Sequence, residues 1–149
     1  MKFEKFLKGC GYCGLIVNHE SGEKWLTSGG VGMKIPDEVL GLVVAGEVSE
    51  KLYKLVDEII TSNEWTRAEL SLAYLPKNGK ASDIIRIYST GFSETGIREE
   101  AYKLLDDKDI NLAVLDFADI EGTENNGRYL LVLDDRDKVI GFIRSINEG

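Results

Sequence analysis

Three apolar runs in the last quarter of the chain, residues 111–117, 129–133 and 139–146, place the strongest constraint on the fold. They are rich in Val, Leu, Ile, Phe and Tyr, the residues that fit a pleated and buried surface. The last two flank Asp134-Asp135-Arg136-Asp137-Lys138, a short polar connection that predicts a tight hairpin. The first is followed by a long polar loop over 119–127. A chain ending this way has to build an antiparallel sheet.

Upstream segments extend the same pattern. Residues 15–17 and 24–27 are strand-like and flank the turn-rich Asn18-His19-Glu20-Ser21-Gly22-Glu23, which predicts a hairpin. Ser28-Gly29-Gly30 forms a loop, and 31–35 a further short strand closed by Pro36. The apolar stretch 37–45 fits either a short helix or a buried strand. Residues 69–75 alternate Leu70, Leu72 and Tyr74 with Ser71 and Ala73, then break at Pro76 and Asn78-Gly79. With the β-branched run 84–88 they predict a second hairpin.

Helical spacing occurs three times. Phe3, Phe6 and Leu7 share one side of a segment that Gly9 stops. Leu52, Leu55, Val56, Ile59 and Ile60 form a single buried face behind Ser49, a good N-cap. Ile97, Ala101, Leu104 and Leu105 predict a helix over 97–105. At 149 residues, with no linker and no strong repeat, the chain reads as one α+β domain over 1–149. Its sheet is expected to be mainly antiparallel, with about six to eight strands and two or three helices.

The charge is lopsided. Against 18 Lys and Arg stand 26 Asp and Glu, a formal net charge of −8. Residues 1–80 carry 10 basic and 11 acidic side chains, whereas 81–149 carry 8 and 15. Within 106–137 lie ten acids against Lys108, Arg128 and Arg136. This balance argues against generic nucleic-acid binding, which draws its affinity from many cation–phosphate contacts. It leaves open a DNA-facing N-terminal surface, where Lys2, Lys5 and Lys8 recur at i, i+3, i+6. No apolar run approaches the roughly 18 residues of a membrane helix, and the first residues show no signal-peptide pattern. A cytoplasmic location is therefore expected.

The motifs that carry chemistry fail at definite positions. Cys10-Gly11-Tyr12-Cys13-Gly14 has the spacing of a redox dithiol, yet Leu15-Ile16-Val17 after it looks like a strand rather than a helix. A structural zinc site needs four ligands. Cys10, Cys13 and His19 are the metal candidates, and a second chain has to complete the set. Thr27-Ser28-Gly29-Gly30-Val31-Gly32-Met33-Lys34 has Met33 where a phosphate-binding loop requires its Lys directly after Gly, so it reads as a flexible turn. His19 sits in a turn, where a solvated side chain is expected. No cofactor and no catalytic residue is assigned.

What remains is the acid. Asp116, Asp119, Glu121, Asp134, Asp135 and Asp137 are the candidate partner-binding residues, forming one acidic face or rim toward a protein with a basic surface. The leading expectation is a small, acidic, non-catalytic binding or assembly protein. It would be homo-oligomeric, of the kind found among bacterial or phage accessory proteins, with the C-terminal strands as an edge for association. One alternative is a small metal-dependent hydrolase using Asp116, Asp119 and Asp134 or Asp135. Another rests on the order strand–helix–strand–strand–strand around 84–146, and more loosely around 31–89. That order resembles the repeat of sliding-clamp processivity factors and implies a ring-like DNA accessory, without a signature motif behind it.

Overall fold

The apolar runs at the C-terminal end become the centre of one sheet. The computed structural model describes residues 1–10, 14–38, 48–120 (the Asp119 side chain excepted) and 127–146. Among these residues nine strands are present: β1 (Leu15–Asn18), β2 (Lys24–Ser28), β3 (Val31–Lys34), β4 (Thr66–Tyr74), β5 (Ile85–Ser89), β6 (Glu94–Arg98), β7 (Leu112–Asp116), β8 (Arg128–Leu133) and β9 (Val139–Arg144). All pairings are antiparallel, in the order β1-β2-β3-β9-β8-β7-β4-β5-β6. The α+β class with a mainly antiparallel sheet holds, with one strand more than the upper expectation. No described helix is long and apolar enough to cross a membrane.

Strands β7 and β8 read as continuous apolar runs because both of their faces are covered. On one face Ala113, Leu115, Tyr129, Leu131 and Leu133 pack with Val56 and Ile59 of α2 (Glu50–Thr61). On the other, Leu112, Val114, Leu130 and Val132 pack with Tyr88 of β5, Ile97 of β6 and Ala101 of α3 (Glu99–Tyr102). The same alternation continues outward. Val17 and Trp25 belong to the α2 side, while Ile16, Leu26 and Met33 meet Phe3, Phe6 and Leu7 of α1 (Phe3–Gly9). Met1 and Val31 pack against both clusters of that second face and join them.

Local signals explain most boundaries. The Ser49 hydroxyl accepts the Leu52 amide at 3.1 Å and starts α2. Gly29 and Gly30 have φ of 58° and 82°, the paired positive values a two-residue hairpin turn between β2 and β3 requires. This turn is therefore a built hairpin rather than the flexible loop expected. Gly32 lies within β3, where a Cβ would sit 2.2 Å from carbons of the Phe142 ring. The connection 134–138 is the tight hairpin expected, closed by the Asp134 amide donating to the Lys138 carbonyl at 2.8 Å.

Two further expectations are corrected. The helix over 97–105 shrinks to Glu99–Tyr102, because Ile97 belongs to β6 and pairs with Arg86 across the β5–β6 ladder. Ile97 and Ala101 share one cluster, so helical spacing arose from a strand end and a short helix meeting the same core. The C-terminal strand is likewise no edge. β9 is flanked by β3 and β8, its backbone groups occupied on both sides. The ambiguous stretch 37–45 lies mostly outside the described residues.

Candidate functional site

The acids of 106–137 divide between the two ends of β8. Asp116 closes β7 opposite Arg128, whereas Asp134, Asp135 and Asp137 sit in the hairpin beyond Leu133. Five residue steps separate the ends, about 17 Å of extended chain. The turn over 106–109 precedes β7 and lies toward the hairpin end, where the Leu133 amide donates to the Asn111 carbonyl. The described acids therefore lie toward two separate ends of β8 rather than along one rim. Asp116 and Asp134 are too far apart to share one ion, which removes the geometric basis for a metal centre using both. Glu121 lies outside the described residues.

Most of these carboxylates already have partners. Asp116 Oδ2 accepts from Arg128 Nε at 3.1 Å and Nη2 at 2.9 Å. Asp109 meets the N-terminal ammonium of Met1 at 2.8 Å and accepts the Asp106 amide at 2.7 Å. Asp137 pairs with Arg67. Asp134 Oδ1 accepts the amides of Arg136 and Lys138 at 2.8 and 2.9 Å. Burial alone raises its pKa, and those two amides with the nearby Lys138 and Arg136 charges outweigh it, leaving the group below the ordinary carboxylate value. Asp106 caps the Lys108 amide. Only Asp107 and Asp135 of the described acids there have no partner, and both are exposed. Most of the described acids of this stretch are engaged in contacts within the chain.

His19 is buried rather than solvated. Its Nδ1 accepts the Ser21 amide at 3.2 Å, which fixes the proton on Nε2, and Nε2 donates to Asp57 Oδ1 at 2.6 Å. The Ser21 hydroxyl also reaches Nδ1 at 2.8 Å. Tyr53 stacks on the ring at a centroid distance of 5.8 Å, and its hydroxyl accepts the Glu20 amide. His19, Glu20 and Asp57 are close enough to share an ion. Both ring nitrogens are already occupied, however, and the Nε2–Asp57 contact leaves no room between the two groups. The arrangement instead latches the β1–β2 turn onto α2. Asp57 and Tyr53, both essential to it, carried no sequence signal, since each stands more than thirty residues from the turn.

Cys10 lies apart from His19. It packs with the α1 cluster on the other face of the sheet, and its thiol donates to the Leu7 carbonyl at 3.3 Å. Cys13 lies outside the described residues. The Cys10, Cys13 and His19 set is therefore not assembled within the described part of the chain.

The feature that sequence reasoning missed is the outer half of β4. Thr66, Arg67 and Ala68 pair with β7, but from Glu69 onward the only strand partner among the described residues is β5. Leu70, Leu72, Tyr74 and Leu75 are 48%, 48%, 53% and 52% exposed. A register shift at Ser71, together with the end of β7 at Leu112, carries this ribbon beyond the sheet. The alternation over 69–75 predicts a hairpin strand, and its apolar side chains stand on the surface in the structure. Set against models of known protein families, curated proteins and solved structures, the chain matches none.

Proposed function

We propose that this chain is a small, non-catalytic binding and assembly protein that associates with a second copy of itself along the outer edge of β4. The supporting observation is the edge from Glu69 to Tyr74, unpaired among the described residues, with half-exposed Leu70, Leu72 and Tyr74 along it and Leu75 just after it. Unpaired strand edges present a row of N–H and C=O groups that pair readily with another strand. Soluble proteins normally blunt such edges with charge or proline, yet no charged residue lies between Glu69 and Lys77, and Pro76 falls after the strand has ended. Antiparallel pairing of two β4 edges about a two-fold axis joins the two ladders and sets Leu70, Leu72 and Tyr74 of one copy beside those of the other. A cytoplasmic setting and an accessory role of bacterial or phage type belong to the same reading, supported by composition alone.

Sedimentation velocity on the intact chain and on Leu72→Lys tests the proposal. The wild type is expected to sediment as a dimer or larger species. The variant is expected to be monomeric with an unchanged circular dichroism spectrum, because Leu72 contributes little to the core. A wild-type chain that stays monomeric at high concentration overturns the reading.

A further inference from the structure

The tip of the β5–β6 hairpin carries a phenylalanine that the fold does not use. Phe92 is 97% exposed, more than any other large apolar side chain among the described residues. Other residues close the turn around it. The Thr90 amide donates to the Ser93 carbonyl at 3.0 Å, and the Thr90 hydroxyl accepts the amides of Phe92 and Ser93 at 3.3 and 3.1 Å. The Ser89 hydroxyl accepts the Gly91 amide at 3.2 Å, and Gly91 takes the positive φ of 91° that glycine tolerates. Phe92 contributes only its backbone amide, at a place where Gly, Asn, Asp or Ser usually stands. A ring held out on a hydrogen-bonded turn has little freedom left to lose when a partner buries it.

Two carboxylates flank this ring. Ser89, the last β5 residue before the turn, pairs with Glu69 of β4 on one side and with Glu94 of β6 on the other. Directly opposed residues share a face, with Cβ atoms about 5 Å apart, so the two glutamates stand on either side of Ser89. Both are exposed, and neither is ion-paired among the described residues. Glu94 follows Phe92 by two residues. The tip is thus an apolar knob with a negative collar.

We infer that Phe92 anchors a protein other than this chain, one that offers an apolar pocket rimmed by Lys or Arg. Aromatic side chains are enriched at interface cores, and the residues that dominate binding sit in desolvated pockets. Complementary charge around such a pocket steers the encounter and selects the partner. A bilayer fits the tip less well, because anionic lipid repels the collar and one ring gives little hold. Two copies of the tip meeting each other bring four carboxylates together. This contact is therefore distinct from self-association along β4.

A fully amino-substituted β-cyclodextrin, an apolar cavity rimmed by ammonium groups, is a defined stand-in for the pocket. Titration calorimetry with this host, with neutral β-cyclodextrin and with a carboxylated β-cyclodextrin tests the inference, and the Phe92 ring resonances report where each host binds. The amino host is expected to bind the wild type about tenfold more tightly than the neutral one, and the carboxylated host more weakly than either. Phe92→Ala, with an unchanged circular dichroism spectrum, is expected to lose about tenfold in affinity for the amino host. Glu69→Gln/Glu94→Gln is expected to erase the advantage of the amino host over the neutral one. Asp107→Asn/Asp135→Asn, which removes the same charge elsewhere, is expected to preserve it. Equal affinity of the amino host for the wild type and Phe92→Ala, or equal losses in the two double variants, overturns the proposal. Co-sedimentation with phosphatidylcholine–phosphatidylglycerol vesicles that Phe92→Ala abolishes overturns the choice of a protein partner.

Discussion

Arg128 holds Asp116 across the β7–β8 ladder through both Nε and Nη2, while its Nη1 donates to the Glu94 carbonyl at 2.8 Å. One side chain thereby ties β7 and β8 to β6, the strand at the far end of the sheet order. An acid that looks available in sequence is a structural anchor. Replacing Arg128 by Gln leaves a partly buried carboxylate without its partner, at a cost of about 1–3 kcal/mol. Scanning calorimetry is expected to show Tm lower by several degrees. Asp135→Asn, at an exposed and unpaired position, is expected to stay within about 0.5 kcal/mol of the wild type. Equal effects at the two positions would contradict the anchoring role.

The His19–Asp57 latch predicts coupling between residues 38 positions apart. His19→Ala and Asp57→Ala are each expected to destabilise the chain by about 1–3 kcal/mol. In a double-mutant cycle measured by urea unfolding, the two losses are expected to be strongly non-additive. Additive losses would mean that each side chain acts alone.

Much of this was legible in sequence, and the reasons are local. Strands β7 to β9 announced themselves because doubly covered strands carry unbroken apolar runs, and α2 because Ser49 and one apolar face suffice to define it. The Gly29-Gly30 turn has a chemistry of its own. By contrast, β6 was hidden because Ile97, Ala101 and Leu104 imitate a helical face. The partners of Asp57, Asp137 and Glu94 lie 38, 70 and 34 residues away, and such separations leave no pattern. The exposure of Leu70 and Leu72 depends on where β7 stops, a tertiary fact that alternation cannot report.

Glu99 supplies a pH dependence. Arg86 donates to it from Nε at 2.9 Å and Nη2 at 3.2 Å, and the guanidinium also lies 4.3 Å over the Tyr102 ring. The hydrogen bonds from Arg86 hold the Glu99 carboxyl below its ordinary value, despite the opposing effect of burial. A pKa lowered in the folded chain means that the unfolded chain takes up the proton first. The stabilisation is therefore fully present above the ordinary glutamate value of about 4.3 and is lost as pH falls through the lower folded value. Urea unfolding from pH 7 to pH 3 is expected to show a smaller acid-induced loss in Glu99→Gln than in the wild type. An identical pH profile in both would rule this pair out as a contributor.

Gly32 and Phe142 predict a sharp contrast between two glycines. A Cβ at Gly32 meets ring carbons of the buried Phe142 at 2.2 Å, whereas a Cβ at Gly9 meets nothing within 4 Å. Gly32→Ala is expected to destabilise by about 1–3 kcal/mol or more, since the ring has to leave its packed position. Gly9→Ala, near the end of α1, is expected to be neutral or to stabilise by up to about 1 kcal/mol. Thermal unfolding of the two variants side by side measures the difference, and a neutral Gly32→Ala would contradict the close approach of β3 to β9.

Association through the outer edge of β4 is tested most directly by residue-resolved amide exchange at two protein concentrations. The account predicts that amides of 69–74 not paired with β5 exchange slowly in concentrated protein and quickly on dilution, with core amides of β7 and β8 unchanged. Open-strand exchange rates at 69–74 at every concentration would contradict it.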